Sequence, residues 1–305
     1  MAVRVGFAGT NAWAAQALER LVALPGFEIA LVLSQPDRPA GRGRAPAAPP
    51  VARTARALGL ELAQPETAGH ALPLLQAAEA EAVAVIAYGA LVPRALLDAL
   101  PFVNLHPSAL PRWRGAAPIE RALMAGDADG AVAAMLLVEQ LDAGPVAALE
   151  RFPIGADEDA GTIYERSLEL GLGSFARALA DAAGGRLATV PQVGEPTYAA
   201  KIVAADRGLD PRLPARKLHD RVRALSPHIG ARLGLNGEPH TIWRTAVVEH
   251  APRVGVLERD GDTLVLGCDP GALRLLELQA PGGRRMPVAD WLRGLRGGVP
   301  AVTPA

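Results

Sequence analysis

A single cysteine, Cys268, stands in the 305 residues, which excludes an intrachain disulfide framework and a cysteine-based zinc site. That favours a reducing compartment. A long apolar run is missing too: the longest, AVAVIAYGALV from Ala82 to Val92, falls far short of the ~20 residues a membrane span requires. The opening MAVRVGFAGT has no charged segment followed by an apolar stretch, so no signal peptide is expected. A soluble, cytoplasmic protein without a membrane partner is the expectation. The formal net charge of -1 excludes a wholesale polycation but leaves room for a locally basic face. Lysine is nearly absent, Lys201 and Lys217 being the only two; beside abundant Ala, Gly and Pro this reads as compositional bias without functional meaning. His70, His219, His228, His240 and His250 show no metal-ligand spacing, so no metal is expected and these are read as structural or surface residues.

What is present is enough apolar matter for a sizeable core, 50% of the chain. The first half alternates short β-rich runs with helix-like segments, the pattern of a parallel sheet with crossover helices. Strands are expected at 3–9, 27–34, 82–89, 102–106, 131–138 and 146–154, and helices at 11–23, 51–59, 118–126 and 162–183. Past a mixed linker the pattern changes to one helix near 214–224 and short strands separated by Gly, Pro and Asp turns, as in a small barrel. The expected architecture is an open, mostly parallel, Rossmann-like α/β sheet over residues 1–185, a linker over 186–205, and an OB-like β-barrel over 206–305.

The stretch NLHPSALPRWRG (104–115) leaves the carboxyl end of an expected strand, the place where open α/β sheets bind ligands. Period-two alternation puts Asn104 and His106 on one side. An amide can hydrogen-bond a developing oxyanion and an imidazole can exchange a proton near neutral pH. Asp142, in the Gly/Pro loop of EQLDAGP, can reach the same crevice and orient the imidazole. With no G-x-S-x-G elbow around Ser108, the set points to direct acyl transfer through a tetrahedral intermediate. The N-terminal GFAGTNAW lacks the second glycine of a dinucleotide fingerprint and reads as an ordinary strand-to-helix turn. Three arginine-rich stretches, 34–56, 201–223 and 284–296, suit phosphate contacts at a nucleic-acid surface.

Taken together these motifs resemble the methionyl-tRNA formyltransferase family over most of the chain. NLHPSALPRWRGAAPIERALMAGD (104–127) is similar to the signature of formyltransferases that use 10-formyltetrahydrofolate, in the version carried by the tRNA enzymes; SQPDRPAGRGR (34–44), AYGALVP (87–93) and TYAAKI (197–202) add to it. The resemblance implies transfer of a formyl group from 10-formyltetrahydrofolate, as co-substrate, to the amino group of initiator methionyl-tRNA. It places Asn104, His106 and Asp142 on the catalytic triad, and Ser108, Ala109, Leu110, Pro111, Ala87, Tyr88 and Gly89 on the folate pocket. Arg38, Arg42 and Arg44 fall on the tRNA-engaging loop, Arg42 reaching toward the acceptor end. It also implies a monomer and a tRNA-binding role for the barrel. Ala109 stands where Leu is usual, Ala143 where Thr is common, and Pro145 where Asp is frequent.

Other readings stay open at this level. An amino-sugar-nucleotide formyltransferase would share Asn104, His106 and Asp142, although it needs neither the basic loop nor the barrel. A glycinamide ribonucleotide formyltransferase would need only the first domain. A nucleic-acid-binding protein with a degenerate catalytic domain would not need the intact triad.

Overall fold

The computed structural model describes residues 2–39, 46–250 and 252–303. Its chain divides into two compact units, one comprising 1–118, 131–152 and 164–199, the other 119–130, 153–163 and 200–305.

The first unit opens with β1 (Val3–Gly9), α1 (Ala12–Val22), β2 (Phe27–Leu33), the short pair β3 (Arg38–Pro39) and β4 (Pro46–Ala47), α2 (Pro50–Ala57) and β5 (Leu62–Ala63). It continues through α3 (Ala71–Ala77), β6 (Ala82–Ile86), α4 (Arg94–Ala99), β7 (Phe102–His106) and β8 (Arg114–Gly115). The chain then runs through α5 (Pro118–Ala125), which falls almost wholly in the other unit, before β9 (Asp129–Leu136), β10 (Val146–Pro153), α6 (Ala160–Ala183) and β11 (Tyr198–Ala199). The main sheet has the order β10-β9-β7-β6-β1-β2-β5. The pairs from β7 to β5 are parallel, and β9 joins β7 antiparallel with His106 opposite Ala133.

Helices cover both faces, so the central strands are apolar on both sides. On β6, Ala82, Ala84 and Ile86 join one core with Trp13, Leu18, Leu21, Leu168, Phe175 and Leu179. Val83 and Val85 join the other with Leu31, Leu75, Leu96 and Phe102. Burying each large side chain contributes roughly 1.5–3 kcal/mol. The same alternation runs along β7: Val103 and Leu105 enter the first core and Phe102 the second. Asn104 and His106 therefore continue the Phe102 side, beyond the point where apolar packing ends.

Helix α1 starts because the Asn11 side chain accepts the Ala14 N–H at 3.0 Å. Gly9 precedes it for a packing reason. A Cβ there would lie 2.8 Å from the Phe7 ring, 2.9 Å from the Ala14 methyl and 3.0 Å from the Ile86 carbonyl oxygen. That close approach explains the glycine without any dinucleotide, in keeping with the turn read from sequence. The expected strand at 82–89 stops at Ile86, because Ala87 turns into the left-handed region at φ 45°. The short strands β3, β4, β5, β8 and β11 carry too few residues for a periodic signal and were not expected.

The second unit holds α7 (Ala215–Leu225) and β12 (Ala231–Leu235), β13 (Glu238–Val248), β14 (Leu257–Asp260), β15 (Thr263–Gly267), β16 (Ala272–Gln279) and β17 (Arg285–Pro287), then α8 (Val288–Gly294) and β18 (Val302–Thr303). The strands form one curled antiparallel sheet in the order β14-β15-β16-β13-β12-β18, with β17 paired to β16. Its core joins Leu218, Val222 and Leu225 of α7 to Leu233, Ile242, Leu264, Leu266, Leu273, Leu275 and Leu278.

Many arginines that look free in the sequence are committed inside this unit. Arg207 donates to the Gly230 and Ile229 carbonyls, Arg221 to that of Gly208, and Arg223 to Asp220. Arg212 pairs with Asp210, whose carboxyl it holds down at about 2. A count of basic residues over 201–223 thus overstates the charge available to a polyanion.

His219 is 2% exposed and donates from Nε2 to the Ala156 carbonyl at 3.1 Å, while Nδ1 accepts the Thr245 hydroxyl at 3.1 Å. Burial lowers its pKa below the usual 6.5. The folded ring stays neutral where the unfolded ring takes a proton, so its contribution is full above about pH 6.5 and is lost as the pH falls toward the folded value. Between about pH 7.5 and 5.5, the melting temperature of the wild type should fall more than that of His219→Gln. Parallel curves would show that His219 is not the group responsible.

Candidate active site

The crevice opens where the parallel strands β1, β6 and β7 end. Chain order reverses between β1 and β6, a topological switch point of the kind where open α/β sheets bind ligands. A cleft of about 440 Å³ lies there. Asn11 and Trp13 follow β1, Ala87–Val92 follow β6, Asn104 and His106 end β7, Gly115 ends β8, and Leu141 and Asp142 come from the loop after β9. Trp13 is fixed at the rim, its Nε1 donating to the Tyr164 carbonyl at 2.9 Å and its ring 5.4 Å from the Tyr164 ring.

Three non-glycine residues in these loops sit at positive φ: Ala87 at 45°, Trp113 at 62° and Asp142 at 46°. Each costs an L-residue roughly 1–2 kcal/mol. Such conformations persist where the surroundings over-determine them, and they concentrate at functional sites.

His106 is 4% exposed, and its Nε2 lies 2.9 Å from the Trp113 carbonyl oxygen. A carbonyl only accepts, so Nε2 carries a proton, and Nδ1 is the ring atom left to gain or lose one. Nδ1 lies 3.9 Å from Oδ2 of Asp142, beyond hydrogen-bonding distance and within strong electrostatic reach. The same Oδ2 accepts the Gly115 N–H at 2.8 Å, which aims the carboxylate. Among the described residues Oδ1 has no partner, and neither has the Asn104 amide, which faces the cleft. An uncommitted amide, an imidazole with one open nitrogen and an uncommitted carboxylate oxygen therefore meet on largely buried residues of one cleft wall. That set can hydrogen-bond an oxygen gaining negative charge and move a proton beside it. Tyr88 is buried, which raises its hydroxyl pKa, so this side chain stays neutral.

The structure brings together Asn104, His106, Asp142, Ala87, Tyr88 and Gly89, all on the cleft wall. It does not bring the turn 108–111 there. The Ser108 hydroxyl donates to the Arg112 carbonyl at 2.7 Å, and Leu110 packs on Ala133 and Met135. In this structure the turn shapes the backbone from His106 to Trp113 and lies outside the wall. Arg38 is exposed on β3, and its pairing with β4 places it beside a second hollow that shares Asn11 and Gly89 with the cleft. Arg42 and Arg44 lie outside the described residues. Sequence reasoning quoted the stretches GFAGTNAW and EQLDAGP but did not assign their Asn11, Trp13 and Leu141 to the site; the fold brings them to the cleft wall.

Residues 3–179 match the family model for formyl transferases, and residues 201–296 that for the formyl transferase C-terminal domain. Fold and site thus define an enzyme of the formyl transferase class. The chain is 41% identical over 298 residues to the methionyl-tRNA formyltransferase of Aromatoleum aromaticum, covering 96% of this chain and 94% of that one. It is 42% identical over 305 residues to the methionyl-tRNA formyltransferase of a Methylobacterium species, covering 97% of each. The chain belongs to the methionyl-tRNA formyltransferase family. The fold also resembles that of HypX from Aquifex aeolicus in complex with tetrahydrofolic acid, with a TM-score of 0.69 at 16% identity. That match covers 98% of this chain and 48% of HypX, so the chain spans about half of that protein's length. Among the described residues no helix is long and apolar enough to cross a membrane.

Proposed function

We propose that this protein transfers the formyl group of 10-formyltetrahydrofolate to the α-amino group of initiator methionyl-tRNA, with Asn104, His106 and Asp142 as its catalytic residues. The observation that carries the reading is the convergence of these three side chains in one cleft at the strand ends of a chain of this family. Asn104 and the Nδ1–H of a charged His106 donate to the formyl oxygen as the amine attacks the formyl carbon. Asp142, beside the ring, balances the imidazolium, and its open Oδ1 takes a proton from the attacking nitrogen. The new C–N bond forms, the bond to N10 of the folate breaks, and the proton passes to N10. No covalent enzyme intermediate is needed.

Ala87, Tyr88 and Gly89 supply wall to the folate pocket, and the 108–111 turn backs it. The domain over 1–185 performs the chemistry; the linker over 186–205 leads to the unit over 206–305, which holds tRNA together with Arg38, Arg42 and Arg44. The enzyme works as a cytoplasmic monomer. Arg42→Ala should weaken tRNA binding several-fold and lower the slope of log affinity against log salt by about 1, leaving folate binding intact. A salt titration of tRNA affinity checks it, and an unchanged slope would remove Arg42 from the phosphate contacts.

The deciding assay supplies the purified protein and 10-formyltetrahydrofolate with charged initiator tRNA, charged elongator methionyl-tRNA and an amino-sugar nucleotide in parallel. Preferential formylation of the initiator is expected. Transfer to the sugar alone would keep the triad and overturn the acceptor.

A further inference from the structure

The segment from Val190 to Ala199 reads as linker in the sequence, yet it is tied to the transfer site at several points. Val190 and Val146 exchange two backbone hydrogen bonds of 2.8 Å. Gln192 donates its side-chain amide to the Asp142 carbonyl at 2.9 Å and to the Gly144 carbonyl at 2.8 Å. Its Oε1 accepts from the buried Arg114 guanidinium, at 3.0 Å from Nε and 2.7 Å from Nη2. Thr197 accepts the Trp113 N–H on Oγ1 at 2.9 Å, and its carbonyl accepts the Arg114 N–H at 2.9 Å. Trp113 is the residue whose carbonyl receives the His106 Nε2–H.

The Gln192 contacts form a fork with a fixed polarity. A guanidinium only donates, so the oxygen end of the amide must face Arg114 and both amide hydrogens must face the loop. The two carbonyls they reach flank Ala143, so the peptide planes after Asp142 and after Gly144 are held from one point. Asp142 sits at φ 46°, a conformation that surrounding contacts must impose. Holding the carbonyl of that residue restricts its ψ and thereby the direction in which its carboxylate leaves the backbone.

We infer that Gln192 is a positioning residue for Asp142: oriented by Arg114, it clamps the 142–144 loop so that the carboxylate stands beside His106. The inference rests on the transfer role proposed for Asp142. It gives residues 190–199 a part in the chemistry of the N-terminal unit, carried by a side chain with no motif of its own.

Steady-state formylation by Gln192→Leu, alone and combined with Asp142→Ala, tests this. Gln192→Leu should lower kcat about 30-fold, with KM for tRNA and for folate within about twofold of wild type. In the Asp142→Ala background the same change should cost nothing further, because two residues acting as one unit are non-additive. Gln192→Asn keeps the amide but is one methylene too short to span Arg114 and both carbonyls; it should give the same split if the leucine variant fails to fold. Wild-type kcat, a loss confined to KM, or a full additional loss in the Asp142→Ala background would each overturn the assignment. Asp142→Ala measured alone separates the two layers. If it kept wild-type turnover, the role of Asp142 would fail first and the Gln192 assignment with it; if it lost turnover while Gln192→Leu did not, only the Gln192 assignment would fail.

Discussion

Asp142→Asn is expected to lower kcat for formyl transfer about 10³-fold while leaving tRNA and folate affinity within about threefold of wild type. The change is nearly isosteric, so the 2.8 Å hydrogen bond from Gly115 N–H to the side-chain oxygen can survive and hold the side chain in place. What disappears is the charge 3.9 Å from His106 Nδ1 and the oxygen that can take a proton. His106→Ala should produce a loss of similar size, because the Nδ1 donor to the formyl oxygen disappears with the ring. Combined, the two should cost little more than either alone, as expected of groups acting as one unit. Single-turnover formylation with saturating substrates isolates the chemical step. Near-normal turnover in Asp142→Asn would falsify the proton-handling role given to the carboxylate.

Gly144→Ala should be almost as damaging, for a purely steric reason. A Cβ at Gly144 would fall 1.8 Å from the Leu136 carbonyl oxygen and 3.0 Å from its carbon. The end of β9 is the obstacle and cannot swing aside, since Leu136 N donates to the Pro145 carbonyl at 3.0 Å and Leu136 pairs with Val103 in the sheet. The 142–145 loop must therefore move by about 1 Å or more, and a misplacement of that size can cost about 10²-fold in rate. Overpacking also destabilises by about 1–3 kcal/mol, so a lower melting temperature should accompany the lost activity. Gly298→Ala, where an added Cβ meets nothing within 4 Å, is the control and should leave both unchanged. Wild-type kcat in Gly144→Ala would mean that the loop has freedom the packing denies it.

The parallel sheet was legible because buried strands and amphipathic helices impose different periods. VRVGFAG and FVNLH give strands at the expected residues, and the helix expected over 11–23 runs from Ala12 to Val22. Asn104 and His106 could be paired from sequence because alternation along a strand is local geometry. Two-residue strands such as β8 and β11 carry no period; they exist only because distant backbone segments meet. Histidine shows the limit from another side. Spacing shows that His219 lacks a metal motif, but only burial and two hydrogen bonds identify it as a neutral core residue.

By itself the sequence determined the strand–helix alternation, the polarity of the strand end at Asn104 and His106, and the family whose motifs it carries, because these depend on residue type and short-range spacing. Tertiary structure alone decided which histidine nitrogen is open, which carboxylate oxygen is committed, why position 144 is glycine, and that Gln192 reaches the Asp142 loop. Each of those depends on atoms that come within about 3 Å of one another although their residues lie up to 50 positions apart in the chain. No local pattern encodes contacts of that kind; they arise only when the sheet has formed and its loops close over its edge.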